Sequence, residues 1–204
     1  PVPISPALAR GVHYTTQVRS GPSGLHRTRY ARRLAKTLGL KGGFMKKFIW
    51  DTSALINIKE PDQNGYSPGN SLMKDLSDGC ITGPYENIFP AIAVFEVNAT
   101  VSRKHREKKK ILREYYVLDE NSRIYPIDRE LISKCTEIVI EDGFSSLRGA
   151  DLIFACIAYL EDAFLVTKDK GFSAVSSHIR VIDLNMSMHS ANYYDQITDH
   201  TTDP

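Results

Sequence analysis

The 204-residue chain is poor in the patterns that build metal clusters, disulfide frameworks and membrane spans. Its three cysteines, Cys80, Cys135 and Cys156, lie far apart with no CxxC pair, so reduced thiols and a cytoplasmic setting are expected. Its six histidines, His13, His26, His105, His178, His189 and His200, never fall at metal-ligand spacing. That argues against a zinc site of the HExxH or Cys/His kind. No apolar run reaches the length of a membrane span, and the first residues lack the apolar core of a secretory signal, so no membrane partner is expected. Acidic residues are missing from positions 1–44, which hold eight Lys or Arg. The remaining 160 residues carry 18 basic and 24 acidic side chains, a net of −6 behind a formal total of +2.

What is present is ordinary globular material, 42% apolar and 25% charged, enough for one domain plus extensions. Residues 1–44, rich in Pro, Gly, Ser and Arg, are expected to form a flexible basic extension with one short helix over 28–38 and a Gly42-Gly43 joint. Such a leader is compatible with an upstream translated segment, a tag remnant, an arm or an organelle transit peptide. The domain is expected over 45–184, with a polar tail over 185–204. Strands are predicted at Lys46–Trp50, Ile88–Ala91, Ser122–Pro126, Ala163–Val166 and Ile179–Leu184. Helices are predicted after Asp51, with Thr52 or Ser53 as cap, over 71–78, over 92–103, over 128–141 with Asp128 as cap, and over 152–160. Strands and helices alternate without hairpin signals, which predicts a parallel sheet with helices on both faces.

The stretch RGADLIFACIAYLEDAFLVTKDKGF (148–172) organises the rest. Asp151 opens a helix that is apolar on every face, and Asp169 closes a short apolar strand. Asp51 likewise follows the first strand. Glu96 interrupts a helix face formed with Ala93, Val97 and Thr100, where a charge needs a partner. In parallel α/β sheets the carboxyl ends of strands and the adjacent helix starts form the ligand crevice, so Asp51, Glu96, Asp151 and Asp169 are predicted to converge. Each acid alone has a plain alternative, as a helix cap, a turn former or an ion-pair partner; together they predict an anionic pocket. Oxygen-only ligation suits Mg²⁺ or Mn²⁺, and such a site predicts phosphodiester hydrolysis. Thr52, Ser53 and Thr167 are hydroxyls placed to support these acids, or to cap and to extend a strand. The basic run with Arg103, Lys104, Arg106, Lys108 and Lys109 reads either as a solvated helix face or as a phosphate-contacting surface.

FIWDTSALI, a lone helical Glu96, GADLIFACIA and LVTKDKGF, in that order, resemble the PIN domain, in particular the VapC-like toxins of bacterial toxin–antitoxin pairs. The resemblance covers Met45 to Leu184. It implies a three-layer α/β/α sandwich around a mostly parallel sheet, Mg²⁺- or Mn²⁺-dependent ribonuclease activity, frequent homodimers and a cognate antitoxin protein. It also places Asp51, Glu96, Asp151 and Asp169 at the metal and catalytic positions, with Thr52, Ser53 and Thr167 beside them. The chain departs from the pattern near the last motif, where some members have a further acid and this one has Lys170 and Gly171. Two other classes compete. A haloacid-dehalogenase-type phosphatase also starts from an Asp after the first strand but needs a second Asp where Ser53 stands, and a PIN-like RNA- or protein-binding module would keep the fold without turnover.

Overall fold

Phe48, Ile49 and Trp50, and then Phe164, Leu165 and Val166, are runs with no polar alternation, as expected of strands covered on both faces. The computed structural model of this chain describes residues 45–59, 67–104, 120–185 and 197, and in it all six of these side chains are buried. They belong to β1 (Lys46–Trp50) and β4 (Phe164–Thr167). With β2 (Tyr85–Pro90), β3 (Ser122–Tyr125) and β5 (Arg180–Asp183), they form a five-stranded, all-parallel sheet in the order β3-β2-β1-β4-β5. The helices are α1 (Thr52–Lys59), α2 (Pro68–Ser77), α3 (Ala91–Lys104), α4 (Arg129–Ile138) and α5 (Gly149–Glu161).

The chain steps outward from β1 to β2 to β3, crosses back to β4, and steps outward again to β5. Right-handed crossovers then place helices on opposite faces for the two halves. In agreement, α1 packs on α2 and α3, while α4 packs on α5. This is the expected three-layer α/β/α sandwich. The strand order reverses between β1 and β4, so the residues that leave these two strands flank the switch point where a crevice opens.

Local chemistry sets the element ends. Ser67 accepts from the Asn70 amide at 3.1 Å and opens α2 three residues earlier than the periodicity predicts, with Pro68 at the first helical position. The buried Asn57 at the end of α1 accepts from the Gly69 amide at 3.0 Å, tying the two helices together. Asp128 caps α4 through the Leu131 amide at 2.8 Å, as predicted, although the helix ends at Ile138. Asp162, in the left-handed region at φ 49°, terminates α5.

Gly143 has φ 85°, and a Cβ there would sit 2.1 Å from the Ala174 carbonyl oxygen. Only glycine lets the segment before α5 lie this close to the 3₁₀ turn Lys170–Val175 that follows Asp169.

At the amino end of the sheet, Lys47 bonds Glu161, and Arg123 bonds Glu86 at 2.8 Å and Glu161 at 3.2 Å. Ile197, inside the segment read as a polar tail, is buried and joins the main core. The short helix expected over 28–38 and the continuation of α3 past Lys104 lie outside the described residues. Among the described residues no helix is long and apolar enough to cross a membrane.

Candidate functional site

Asp51 leaves β1 as the backbone turns into α1. Its Oδ1 accepts from the Ala54 amide at 2.7 Å, which makes Asp51 itself the cap of α1, in place of the expected Thr52 or Ser53. Those hydroxyls do other work. Ser53 donates to the Asp51 carboxylate at 2.9 Å and accepts from the Lys168 amide at 2.8 Å. Thr52 donates to Glu96 on α3. Thr167, the fully buried last residue of β4, donates to Asp51 Oδ2 at 2.6 Å and accepts from the Asp169 amide at 2.8 Å. The exits of β1 and β4 are thereby laced together through side chains at the switch point.

Asp169 caps the following 3₁₀ turn, accepting from the Gly171 amide at 2.7 Å. Asp151 sits in the first turn of α5, not at its cap, which is Arg148 and makes no side-chain capping bond. On α3 the buried face is Ala93, Val97 and Val101. This corrects the expected face: Glu96 and Thr100 are half-buried on the flank of the helix, because Val101 supplies the apolar residue one turn beyond Val97.

All four acids line one cleft of about 370 Å³, walled in part by Ile56 and Phe154. Among the described residues no Lys, Arg, His or Cys lines it. Asp51 is 3% exposed, and burial pushes its pKa up to about 6. The bonds from Thr167, Ala54 and Ser53 oppose the shift and the Asp151 charge adds to it. Burial, then the charges of Asp169 and Glu96, also raises Asp151 above the ordinary carboxylate value. Both shifts mark an anionic pocket short of compensating charge.

The donor set, four carboxylates with neighbouring hydroxyls, fits a hard divalent cation. Among the described residues, however, no three acidic, His or Cys side chains draw close enough to chelate an ion together. The predicted acids share a cleft without forming a closed ligand cage, and oxygens of Asp51, Glu96 and Asp169 are engaged by Thr52, Ser53, Thr167 and backbone amides.

Arg103 and Lys104 end α3, both exposed; Arg106, Lys108 and Lys109 lie outside the described residues. Sequence reasoning missed Ile56 and Phe154 as walls. It also missed Asn185, whose side chain donates to the Lys168 carbonyl and so props the turn carrying Asp169. The spacing of Asp183, the last residue of β5, and Asn185 was the available signal, since Asp183 accepts from the Asn185 amide at 2.8 Å.

The PIN domain family profile matches residues 48–177. No curated protein matches the sequence. Among solved structures the chain is similar to VapBC2 from Rickettsia felis bound to a DNA fragment from their promoter, at 16% identity and TM-score 0.49, over 67% of this chain and 98% of that one. It is similar to FitAcB from Neisseria gonorrhoeae at 18% identity and TM-score 0.45, over 69% and 99%. It is also similar to Mycobacterium tuberculosis VapC20, a sarcin-ricin loop cleaving toxin, at 14% identity and TM-score 0.46, over 63% and 94%.

Proposed function

This chain belongs to the PIN domain family, and on that premise we propose that it is a metal-dependent endoribonuclease hydrolysing RNA phosphodiester bonds in the cytoplasm. The finer reading, carried by the motif order that resembles VapC-like toxins, is the toxin of a toxin–antitoxin pair. Its partners are then a cognate antitoxin protein and a second copy of the chain.

The observation that carries the reading is that Asp51, Glu96, Asp151 and Asp169 line one cleft, with no cationic side chain among its described walls. These four residues would hold Mg²⁺ or Mn²⁺. A bound divalent ion of this kind supplies a water of lowered pKa and counters the charge that builds on the phosphoryl oxygens. The chain's own residues prepare the site. Thr167 and Ser53 fix the rotamer of Asp51, Thr52 fixes Glu96, and the Gly171 amide orients Asp169. Ile56 and Phe154 lower the polarity of the cleft wall, which strengthens electrostatic interactions inside it. Arg103 and Lys104, with Arg106, Lys108 and Lys109 after them in sequence, provide positive charge for the RNA backbone.

The absence of a tight three-residue cage among the described residues favours a second reading, a PIN-like module that binds RNA or protein without turnover. Ser53 stands where a haloacid-dehalogenase phosphatase needs its second Asp, and its hydroxyl bonds Asp51 directly, which disfavours that class. Purified protein, freed of any copurifying inhibitor, is to be incubated with a structured RNA pool in Mg²⁺ or EDTA. Cleavage in Mg²⁺ that EDTA abolishes supports the enzyme; metal binding without cleavage supports the module.

A further inference from the structure

Phe95 is 70% exposed, on a helix whose neighbouring residues are well used. Ala93, Val97 and Val101 bury toward the core, Glu96 turns to the cleft, and Arg103 and Lys104 stand at the far end. At 100° per residue Phe95 projects on the side away from the buried face. Ala99 and Ser102 share that side, and Ile92 lies next to it. Glu96 and Arg103, seven residues apart, share one flank about 10 Å apart along the axis. Arg103 lies back along the helix, donating to the Ala99 carbonyl at 3.2 Å and to Thr100 at 3.4 Å. The helix therefore presents a carboxylate to the cleft and a cation two turns on along the same flank, with a bare aromatic ring about 100° around the helix on its outer side.

A single exposed aromatic ring among Ala, Ser and Arg, with the neighbouring Ile92 partly buried against the core, is too small for a protein interface, which needs a contiguous apolar patch. The other large exposed apolar residues among the described ones, Ile124, Ile132, Ile140, Leu160 and Met45, lie outside α3. One ring is, however, the right size for one nucleobase, and stacking platforms beside basic residues are how unpaired strands are held.

We propose that Phe95 is a base-stacking platform on the outer side of the helix that carries Glu96, holding an unpaired nucleotide that flanks the one entering the cleft and selecting single-stranded over paired RNA. This rests on the ribonuclease reading above. Phe95 is a positioning and specificity-determining residue here, with no part in the bond-breaking step.

The test uses the full chain in EDTA with a fluorescently labelled single-stranded oligoribonucleotide and its duplex, read by anisotropy, and then cleavage in Mg²⁺. Phe95→Ala is expected to weaken single-strand binding about tenfold and to raise KM with little change in kcat. Phe95→Trp restores both, Phe95→Leu restores neither, and duplex binding is indifferent to all three. Melting temperatures are expected to match wild type, since the ring packs against little. Wild-type binding by Phe95→Ala, or recovery with Leu as good as with Trp, overturns the proposal. So does unchanged RNA binding together with a shift in oligomeric state by sedimentation, which would make this face a protein interface. RNA that is bound through Phe95 but never cut leaves the platform standing and sinks the nuclease reading. RNA that is cut equally well without the ring does the reverse.

Discussion

At the amino end of the strands, Lys47, Glu86, Arg123 and Glu161 close on one another, whereas at the carboxyl end four carboxylates face a cleft with no cationic lining residue among the described ones. Burial penalises the charged form at both ends, Asp51 being buried and Glu161 half-buried, and the outcome is opposite. Burial alone would raise Glu161, yet Lys47 and Arg123 hold it below its ordinary value. Asp51, with only hydroxyl and amide donors around it, is pushed up to about 6 by burial. One end of the sheet completes its own electrostatics and contributes stability. The other leaves a deficit that an external cation can fill, which is how stability is traded for a binding site.

The sharpest way to break this comparison is by activity. Asp51→Asn or Asp169→Asn is expected to lower RNA cleavage about a thousandfold or more, with circular dichroism unchanged, while Glu161→Gln leaves turnover near wild type. Equal losses at both ends would mean that the distinction is false.

Next in size is the pH dependence of metal-free stability. A carboxyl group whose folded pKa is raised favours folding most below its unfolded value, near 3.8, and loses that contribution as the pH rises through about 6. Asp51→Asn in EDTA is therefore expected to be the more stable protein at pH 8, by up to about 2–3 kcal/mol. The gain should fade toward pH 4 in urea titrations. The capping bond from Ala54 survives on the Asn oxygen, but loss of the acceptor for the Thr167 hydroxyl works against the gain and sets its lower bound.

Glu161 has the opposite sign. Its folded pKa is depressed, so its contribution is present above the unfolded value and is lost as the pH falls through the folded one. Glu161→Gln should cost about 2 kcal/mol at pH 7 and less in acid, read by the same titrations. The smallest effect expected is at Thr52. Replacing it with Val removes the hydroxyl that holds Glu96 and should weaken Mn²⁺ binding about tenfold by calorimetry, leaving the fold intact.

The carboxyl end of this comparison was legible in the sequence and the amino end was not. Asp51 and Asp169 follow runs of buried apolar residues, so a strand and its end can be read locally, and the parallel topology then brings the two exits together. Lys47 and Glu161 are 114 positions apart and Glu86 and Arg123 are 37 apart. Only the strand register and the end of α5 join them, and no periodicity announces that. Two finer expectations failed for local reasons. Asp51, Thr52 and Ser53 can all cap a helix, and the backbone of the β1 exit chose the first. On α3, Thr100 and Val101 both lie one turn beyond Val97, and the apolar one went inward.

Asn185 and β5 carry a practical consequence for anyone trimming this protein. The family profile ends at residue 177, short of β5, of Asn185 and of the core residue Ile197. A fragment cut to those bounds would strip β4 of its neighbouring strand, bare a hydrophobic edge to self-association, and remove the prop beneath the turn that carries Asp169.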